Sequence, residues 1–399
     1  MATRMHVHDT LAGRLAPLPL SEDEQGRPLL RLYVCGVTPY ESGHLGHAFT
    51  FCAFDVLVRH LEARGVKVRY VQNVTDVDDP LFERARRDGV DWKELAEREE
   101  RSLVRDMTML GWRAPDLMPR VSEEIPGILA AAEALAAGGF AYPAADGSLY
   151  FEAARYPGFG RLSRRSRRSM LAKLREEELR GVKGEGAKRD WLDFPLWRPS
   201  RTDEPSWPSA YGAGRPGWHI ECSAMAMRHL GEQVDVHGGG RDLIFSHHES
   251  ERAQSESLTG CAPFARAWLH TGMVRYEGTK MSKSLGNLVN VRQSLARVSP
   301  AALRLYLASH HYRRDWSFSW AGLEAAGVLA DRVAALPATA RANSRLLRAF
   351  DAALDADLDT VGAVGVLRQA VRAGDGAAAR QMTDILAGTA SFDRSSPAA

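Results

Sequence analysis

Hydrophobic and polar residues follow two different spacings in the first part of the chain, and together they predict alternating strands and helices. Residues 30–36 form a nearly continuous apolar run, and residues 66–74 alternate between apolar and polar side chains. Both patterns are typical of strands, whereas residues 51–61 carry apolar side chains at the spacing of a helix. A strand, a helix and a second strand this close together predict a βαβ unit with parallel strands.

The same alternation returns later in the chain, after an insertion. Residues 234–238 and 267–272 are predicted strands, and residues 217–230 and 247–258 are predicted helices. The remaining predicted elements are helices at 92–109, 123–137 and 289–386 and a hairpin at 140–151. The predicted fold class is therefore α/β, with one parallel sheet built from two halves.

These patterns divide the chain into six segments. Residues 199–216 are dense in Pro, Gly and Ser and mark the return from the insertion to the second half of the sheet. The predicted segments are 1–29, a polar N-terminal arm; 30–116, the first half of the α/β domain; 117–200, the connective insertion; 201–295, the second half; 296–388, a helical C-terminal domain; and 389–399, a tail.

Composition narrows the class of protein without defining its function. The 399 residues are 45% apolar and 26% charged, and the net charge of +2 gives no strong attraction to nucleic acid or membrane. No apolar run approaches the roughly 20 residues of a membrane-spanning helix, and residues 1–26 lack the apolar core of an export signal. The four cysteines do not form a disulfide framework in a chain of this length. We therefore expect a cytoplasmic protein without membrane contact.

The first predicted strand runs into a turn, residues 35–47, with the sequence CGVTPYESGHLGH. At the start of a helix, free N–H groups and the helix dipole favour phosphate binding. His44 and His47 lie three positions apart around Gly46, so both imidazoles could face one phosphate. The alternative interpretation is that both histidines are ordinary surface residues of a turn.

A second motif, KMSKS at residues 280–284, favours the phosphate interpretation. The order and separation of HLGH at residues 44–47 and KMSKS resemble the two signature motifs of class I aminoacyl-tRNA synthetases. The resemblance implies a Rossmann-like catalytic domain with a connective insertion and a C-terminal helical domain. It also implies that the side chains of His44, His47, Lys280 and Lys283 contact the phosphates of ATP, which carries Mg²⁺.

Cys35, Cys222, His247 and Glu251 form a candidate metal-binding set. Cys35 ends the first predicted strand, and Cys222 lies near the start of a predicted helix. His247 and Glu251 are four residues apart and share one helix face. Two thiolates, an imidazole and a carboxylate suit tetrahedral zinc. The alternative is that both cysteines are small buried core residues, and the pattern alone leaves this choice open.

The segments around these four residues resemble cysteinyl-tRNA synthetases and the related mycothiol cysteine ligases. The similar segments are CGxTxY at 35–40, HxECSAM at 219–225, HGGGxDL at 237–243 and HHExE at 247–251. The resemblance implies ATP-dependent formation of cysteinyl-adenylate and a zinc ion at or next to the four residues that separates cysteine from serine. By the same resemblance, the residues expected around cysteine and ATP are Cys35, Gly36, Val37, Thr38, Thr50, Asn73, Val74, Thr75, Trp218, Gly240, Arg241, Asp242 and Val274.

Two clusters of charge have more than one interpretation. Asp76, Asp78 and Asp79 follow the second predicted strand, at the end where open α/β sheets bind ligands. They could equally be the solvated start of a helix. The basic run at residues 161–168 is either a solvated face or a phosphate-binding surface.

The expected acceptor of the activated cysteine is the amine of a small aminosugar, glucosaminyl-inositol, which would give an amide in mycothiol biosynthesis. Residues 70–84 resemble the mycothiol ligases, with Pro80 where the tRNA enzymes usually carry Lys. After the helical C-terminus, we expect no further domain able to read an anticodon. Glu251 and residues 188–197 instead resemble the tRNA enzymes.

Three alternatives therefore remain open. The first is a cysteine–tRNA ligase, and the second is a cysteine ligase for another small amine. The third, from a different class, is a non-enzymatic paralogue that acts as a regulator or binding module. We expect a monomer in each case.

Overall fold

The computed structural model describes residues 5–40, 43–179, 187–281, 287–337 and 342–393. Within these ranges, the strands are β1 (His6–Asp9), β2 (Arg14–Pro17), β3 (Ser21–Glu22), β4 (Pro28–Val37), β5 (Lys67–Val74), β6 (Ala141–Pro143), β7 (Leu149–Phe151), β8 (Phe194–Pro199), β9 (Gly214–Pro216), β10 (Val234–Gly240), β11 (Ala265–Thr271), β12 (Val274–Tyr276), β13 (Thr279–Lys280) and β14 (Trp316–Ser317). The helices are α1 (Leu45–Glu62), α2 (Asp79–Asp88), α3 (Trp92–Met109), α4 (Val121–Ala137), α5 (Arg167–Leu179), α6 (Trp218–Leu230), α7 (Glu249–Thr259), α8 (Val291–Leu295), α9 (Pro300–Ala308), α10 (Trp320–Ala334), α11 (Ser344–Asp355), α12 (Thr360–Arg372) and α13 (Gly376–Ala387). Short 3₁₀ turns lie at Ala153–Arg155 and Arg241–Leu243, and a π-helical turn lies at Ile244–His248.

One parallel sheet carries the strands whose ends meet at the candidate site. Its hydrogen-bonded order is β11-β10-β4-β5, and the short β3 pairs antiparallel with the start of β4. The chain passes from β4 to β5 through α1, and from β10 to β11, on the other side, through α7. The direction of winding therefore reverses between β4 and β10. Open α/β sheets bind ligands at the carboxyl ends of the strands beside such a reversal.

The predicted α/β class and its parallel sheet are confirmed. Four predicted strands correspond to observed ones: 30–36 to β4, 66–74 to β5, 234–238 to β10 and 267–272 to β11. Helix α1 begins earlier than its apolar pattern indicates, because His44 caps it through a hydrogen bond from the Gly46 N–H. The division into six segments stays a prediction.

The segment predicted as a polar arm contains a β hairpin. Strands β1 and β2 pair antiparallel, and the side chains of Met5 and Val7 are fully buried. The hairpin is attached to the sheet because the Asp9 carboxylate accepts the Trp268 N–H of β11 at 3.0 Å. Strands of four residues carry too little alternation to be distinguished from a loop in the sequence.

The insertion between the two halves of the sheet combines α4 and α5 with an antiparallel sheet in the order β6-β7-β8-β9. Part of the basic run is docked on helix α7. The backbone N–H groups of Leu162 and Ser163 donate to the buried carboxylate of Glu249 at 3.4 and 2.7 Å. The run is therefore not a fully solvated segment, although its arginine side chains are exposed.

The C-terminal helices pack on α1, the helix that begins at the candidate site. Buried side chains from α1, α9, α10, α12 and α13 belong to one hydrophobic core. Arg304 of α9 is almost fully buried and donates hydrogen bonds to the Asp55 carboxylate of α1 and to the Leu386 carbonyl oxygen. Among the residues that the structure describes, no helix has the length and apolar character needed to cross a bilayer.

Candidate active site

The histidine turn, residues 44–47, leads into α1 at the carboxyl end of the parallel sheet. The Nδ1 atom of His44 accepts the Gly46 N–H at 3.0 Å, so the hydrogen of the neutral ring lies on Nε2. The rings of His44 and His47 stack with centroids 4.0 Å apart. Glycine is needed at position 46 because a Cβ atom there would lie 2.7 Å from the His44 ring. The two imidazoles therefore stack against each other at the start of α1.

The charge of this turn depends on the environment of His47. Its Nδ1 atom is buried without a hydrogen-bond partner among the described residues, and burial lowers the pKa of His47 to about 4. Two backbone N–H groups at the start of α1 are already used: Leu45 donates to the Val289 carbonyl oxygen at 2.9 Å, and Gly46 donates to His44. These groups are not free for a phosphate, in contrast to the expectation from the sequence.

The thiol cluster consists of Cys35, Cys222, His247 and Glu251. One donor atom from each residue lies within 4.8 Å of the others, and all four residues are buried. A carboxylate oxygen of Glu251 lies 3.5 Å from the Cys35 Sγ atom and 3.0 Å from the His247 Nε2 atom. Two sulfurs, a nitrogen and an oxygen at this spacing fit a tetrahedral zinc ion. The structure thus assembles the four candidate donors from distant parts of the chain.

The protonation states within the thiol cluster depend on one another. Burial disfavours a charged imidazole, but the Glu251 carboxylate and the interactions with Cys222 raise the pKa of His247 to about 10. Burial also opposes a thiolate at Cys222, where the Cys35 hydrogen bond and the charge of His247 lower the pKa to about 6. Burial, followed by the interactions with Cys222, raises the pKa of Cys35 well above its usual range. At neutral pH these shifts place protons on His247 and Cys35.

Two histidines to which the sequence analysis gave no role complete a second possible donor set. His237 Nε2 lies 3.2 Å from the Glu251 carboxylate, and His248 Nε2 lies 3.3 Å from Cys35 Sγ. Together with Cys35 and Glu251 they also place four donor atoms within 4.8 Å of one another. Among the described residues, however, the wall of the neighbouring cavity includes Cys222 and His247 but neither His237 nor His248. The thiol cluster is therefore the set that a ligand in the cavity can reach.

A chain of hydrogen bonds connects His248 of this second donor set to the N-terminal hairpin. His248 Nδ1 lies 2.7 Å from His270 Nε2, and His270 Nδ1 lies 2.7 Å from the Thr10 hydroxyl. Burial lowers the pKa of His270 to about 3 and that of His248 well below its usual range, so both rings are neutral. In the sequence, His237 is part of the HGGG motif and His248 of the HH motif, whereas His270 lies near the end of a predicted strand. These positions are the features that could have identified the three histidines.

A cavity of about 570 Å³ opens at the carboxyl ends of the parallel strands, between the histidine turn and the thiol cluster. Trp218 lies on its wall and stacks on the His247 ring, with centroids 4.1 Å apart. The predicted residues on the wall are Cys35, Gly36, Val37, Thr38, His44, His47, Thr50, Asn73, Thr75, Trp218, Cys222, Gly240, Asp242, His247 and Val274. Wall residues outside the predicted site set are Tyr40, Gly46, Phe51, Leu243, Gly272, Met273, Met281 and Leu288.

The remaining predicted site residues lie elsewhere. Glu251 is fully buried beside Cys35 and His247. Val74 is buried at the end of β5, and the Arg241 side chain donates to the Asp315 carboxylate at 2.9 Å. Lys280 ends β13 and its side chain lies outside the described part of the chain, as does all of Lys283.

The fold and the site together define a class of protein. A parallel sheet with this reversal, a histidine pair at the start of the first helix and a long insertion between the two halves are the features of a class I synthetase catalytic domain. The family model described as "tRNA synthetases class I (C) catalytic domain" matches residues 22–327. The chain belongs to this family.

Within the family, the chain is similar to proteins with two different names. It is 45% identical over 381 residues to the cysteine–tRNA ligase of Anaeromyxobacter sp. (strain K), with 92% of this chain and 77% of the relative covered. It is 49% identical over 350 residues to the L-cysteine:1D-myo-inositol 2-amino-2-deoxy-alpha-D-glucopyranoside ligase of Frankia alni, with 85% and 82% covered. The fold is similar to that of Mycobacterium tuberculosis methionyl-tRNA synthetase in complex with methionyl-adenylate, with a TM-score of 0.65, 16% identity, and 90% of this chain and 92% of that chain covered.

Proposed function

We propose that the protein activates L-cysteine with ATP to cysteinyl-adenylate and then transfers cysteine to the amine of glucosaminyl-inositol, forming an amide. The observation that carries the first step is that the thiol cluster and the histidine turn share one cavity. Soft donors at one place and neutral imidazoles at another suit a ligand that has both a thiol and a phosphate. Cysteinyl-adenylate is such a ligand, and both named relatives are ligases for cysteine.

The thiol cluster would hold a zinc ion through the sulfurs of Cys35 and Cys222, the His247 imidazole and the Glu251 carboxylate. When bound, the ion supplies a soft acceptor that a thiolate binds far better than a hydroxyl group does. Because Cys35, Cys222 and His247 are on the cavity wall, a substrate thiol can approach their donor atoms. The contact between the substrate thiol and the ion would then discriminate cysteine from serine, without a second, editing site.

The histidine turn would bind the α-phosphate of ATP. In the activation step, a carboxylate oxygen of cysteine forms a bond to the α-phosphorus while the bond to pyrophosphate breaks. The Nε2–H group of His44 and the neutral ring of His47 can donate to the phosphate oxygens as their charge develops. Lys280 and Lys283 are proposed to contact the β- and γ-phosphates, with Mg²⁺ bound to the nucleotide.

The aminosugar acceptor is supported by the Frankia alni relative, which is 49% identical over 85% of this chain. In the transfer step, the amine nitrogen bonds to the cysteine carbonyl carbon, the bond to the AMP oxygen breaks, and the amine loses a proton. Cysteine tRNA is the second candidate acceptor, because the Anaeromyxobacter relative is 45% identical over 92% of the chain. The monomeric state stays a prediction.

The deciding experiment supplies the protein with ATP, Mg²⁺ and labelled cysteine, and offers each acceptor in a separate reaction. Cysteine-dependent exchange between ATP and pyrophosphate is measured first, and we expect it to occur without any acceptor. We then expect the amide to form from glucosaminyl-inositol. Charging of cysteine tRNA without amide formation would establish the second candidate instead. Absence of exchange would contradict cysteine activation itself.

A further inference from the structure

Two hydroxyl groups on the cavity wall have hydrogen bonds that are directed by buried partners. Thr38 follows β4 and Thr75 follows β5, and both line the cavity. They are neighbours across the sheet, since the Thr75 N–H donates to the Val37 carbonyl oxygen at 3.0 Å. A threonine hydroxyl has one hydrogen to donate and lone pairs with which to accept. A partner that only accepts, or only donates, therefore decides what the hydroxyl offers to a ligand.

Asp78 decides the role of Thr38. The Thr38 hydroxyl donates to the Asp78 Oδ2 atom at 2.9 Å, and Asp78 Oδ1 accepts the Asp79 N–H at 2.9 Å. Burial and the charge of Asp79 raise the pKa of Asp78, whereas the hydrogen bond from Thr38 favours its ionised, acceptor form. Because its only hydrogen is used, Thr38 offers lone pairs alone to the cavity. Its preferred ligand is an N–H donor.

Asn73 decides the role of Thr75 in the opposite sense. The Gly36 N–H donates to the Asn73 Oδ1 atom at 2.9 Å, which fixes the orientation of the amide. The Asn73 NH₂ group then donates to the Thr75 hydroxyl oxygen at 2.9 Å. Glycine is required at position 36 because a Cβ atom there would lie 1.7 Å from the Asn73 carbonyl oxygen. Since Thr75 accepts from Asn73, its own hydrogen is available to an oxygen acceptor.

We propose that Asp78 and Asn73 are positioning residues that give Thr38 and Thr75 opposite hydrogen-bonding polarity, so that Thr38 accepts from the α-ammonium group of cysteine and Thr75 donates to its carboxyl group. The identification of the ligand as cysteine rests on the proposed function. An α-amino acid carries its donor and its acceptor on one carbon, and adjacent strands lie about 5 Å apart. The two wall hydroxyls lie at the ends of neighbouring strands, and their hydrogen-bonding polarities match this arrangement.

The test uses Asp78→Asn, which changes one carboxylate oxygen into an NH₂ group. The remaining oxygen keeps the bond from the Asp79 N–H, so the new NH₂ group faces Thr38 and reverses its polarity. Asparagine also preserves the cap at the start of α2. Binding of three thiols to the zinc-loaded full chain is measured by calorimetry: cysteine, cysteamine, which lacks the carboxylate, and 3-mercaptopropionate, which lacks the amine.

We expect Asp78→Asn to weaken the binding of cysteine and cysteamine about tenfold or more, because a charge-assisted hydrogen bond is lost. Binding of 3-mercaptopropionate should not weaken, and a purely structural defect would not make this distinction. Asp76→Asn is the matched control, since Asp76 lies in the same turn but accepts from Ser122 instead of a cavity hydroxyl. The control should bind all three thiols as the unaltered protein does.

Thr38→Val provides a second variant in case Asp78→Asn does not fold, and the same selective loss is expected. Equal weakening of all three thiols would overturn the inference. So would unchanged cysteine binding combined with a loss of amide formation alone, because Thr38 would then serve the acceptor amine. Exchange by the unaltered protein tests the proposed function separately, since it does not depend on either variant.

Discussion

The histidine turn and the thiol cluster share one cavity, but His47 is neutral whereas His247 carries a positive charge. Among the described residues, the buried Nδ1 atom of His47 has no hydrogen-bond partner, and burial lowers the pKa of His47 to about 4. His247 is almost fully buried too, yet its pKa rises to about 10 because the Glu251 carboxylate and Cys222 outweigh burial. The partners of a buried imidazole, and not its burial alone, therefore decide its charge.

This difference suits the two regions to different ligands. A neutral imidazole can donate a hydrogen bond to a phosphate oxygen. Without a thiolate or carboxylate beside it, such an imidazole does not attract a metal ion. The thiol cluster instead holds a carboxylate and a thiolate that attract a cation, and the cation must displace protons from Cys35 and His247. A change in one region should therefore leave the function of the other intact.

The largest effect is expected from Cys222→Ala in the thiol cluster. Loss of an outer partner of a metal site costs about 10- to 100-fold, so loss of a direct donor should reduce metal affinity and cysteine-dependent exchange by more than about a hundredfold. Metal content and exchange rate are measured on the same preparation. Cys261→Ala is the matched control, because Cys261 is partly exposed and does not belong to either donor set. Full metal content in Cys222→Ala would contradict the assignment.

His47→Asn tests the histidine turn. We expect the exchange rate at saturating cysteine to fall by about a hundredfold, because a hydrogen bond to the developing charge on the phosphate is lost. The zinc content should stay at the level of the unaltered protein. His60→Asn, on the same helix but paired with Asp355, is the control and should keep its exchange rate. Loss of zinc in His47→Asn would show that the two regions are not separable.

Zinc uptake should release protons from the thiol cluster near neutral pH. The Cys35 thiol and the His247 imidazolium both carry protons that a bound metal ion excludes, so about two protons should leave per ion. Affinity should then fall as the pH is lowered, by about a hundredfold for each pH unit. Calorimetry in buffers of different ionisation enthalpy gives the number of protons. An enthalpy that does not depend on the buffer would contradict the protonation states described above.

The smallest effect is expected at Glu221, a buried acid next to Cys222 that has no metal-binding role here. Its carboxyl oxygens have no hydrogen-bond partner among the described residues, and burial, then the charges of Asp78 and Cys222, raise its pKa well above the usual range. The native state therefore holds a proton that the unfolded chain loses, so stability should fall as the pH rises above the ordinary glutamate pKa.

Glu221→Gln cannot ionise, and we expect it to remove this loss. Its free energy of unfolding should exceed that of the unaltered protein at pH 8 by on the order of 1 kcal/mol, with little difference at acid pH. Thermal unfolding at the two pH values measures the change. A lower unfolding midpoint for Glu221→Gln at pH 8 would show that the carboxylate form is needed in the folded protein.

Sequence patterns predicted the elements that carry many apolar residues at regular spacing. Helix α3 has the predicted bounds. The strand that carries Cys35 was identified from its apolar run, and the strand that carries Asn73 from its alternation of apolar and polar residues. The hairpin of β1 and β2 was missed because its few apolar residues acquire meaning only through contact with β11. Local pattern alone cannot contain such a contact.

In the candidate site too, residues in local motifs were predicted, whereas contacts between residues far apart in the sequence were not. The thiol cluster was a candidate because of its donor types and the shared helix face of His247 and Glu251. The resemblance of its segments to one enzyme family then favoured a metal site over buried core cysteines. The links from Thr38 to Asp78 and from Thr10 to His270 were not predicted, since each joins residues 40 or more positions apart. Their roles depend on which atom donates and which accepts, and only the folded arrangement determines this.

The buried ion pair between Arg304 and Asp55 has a consequence for attempts to isolate a minimal fragment. Asp55 lies two turns after His47 on α1, and Arg304 joins it to the Leu386 carbonyl oxygen. A truncation after residue 295 would remove this guanidinium group and expose the face of α1 that packs in the shared core. Removal of one partner of a buried pair costs on the order of a few kcal/mol, which is a large part of a domain's total stability. Engineering that seeks a smaller cysteine-activating unit must therefore keep the chain at least as far as Leu386.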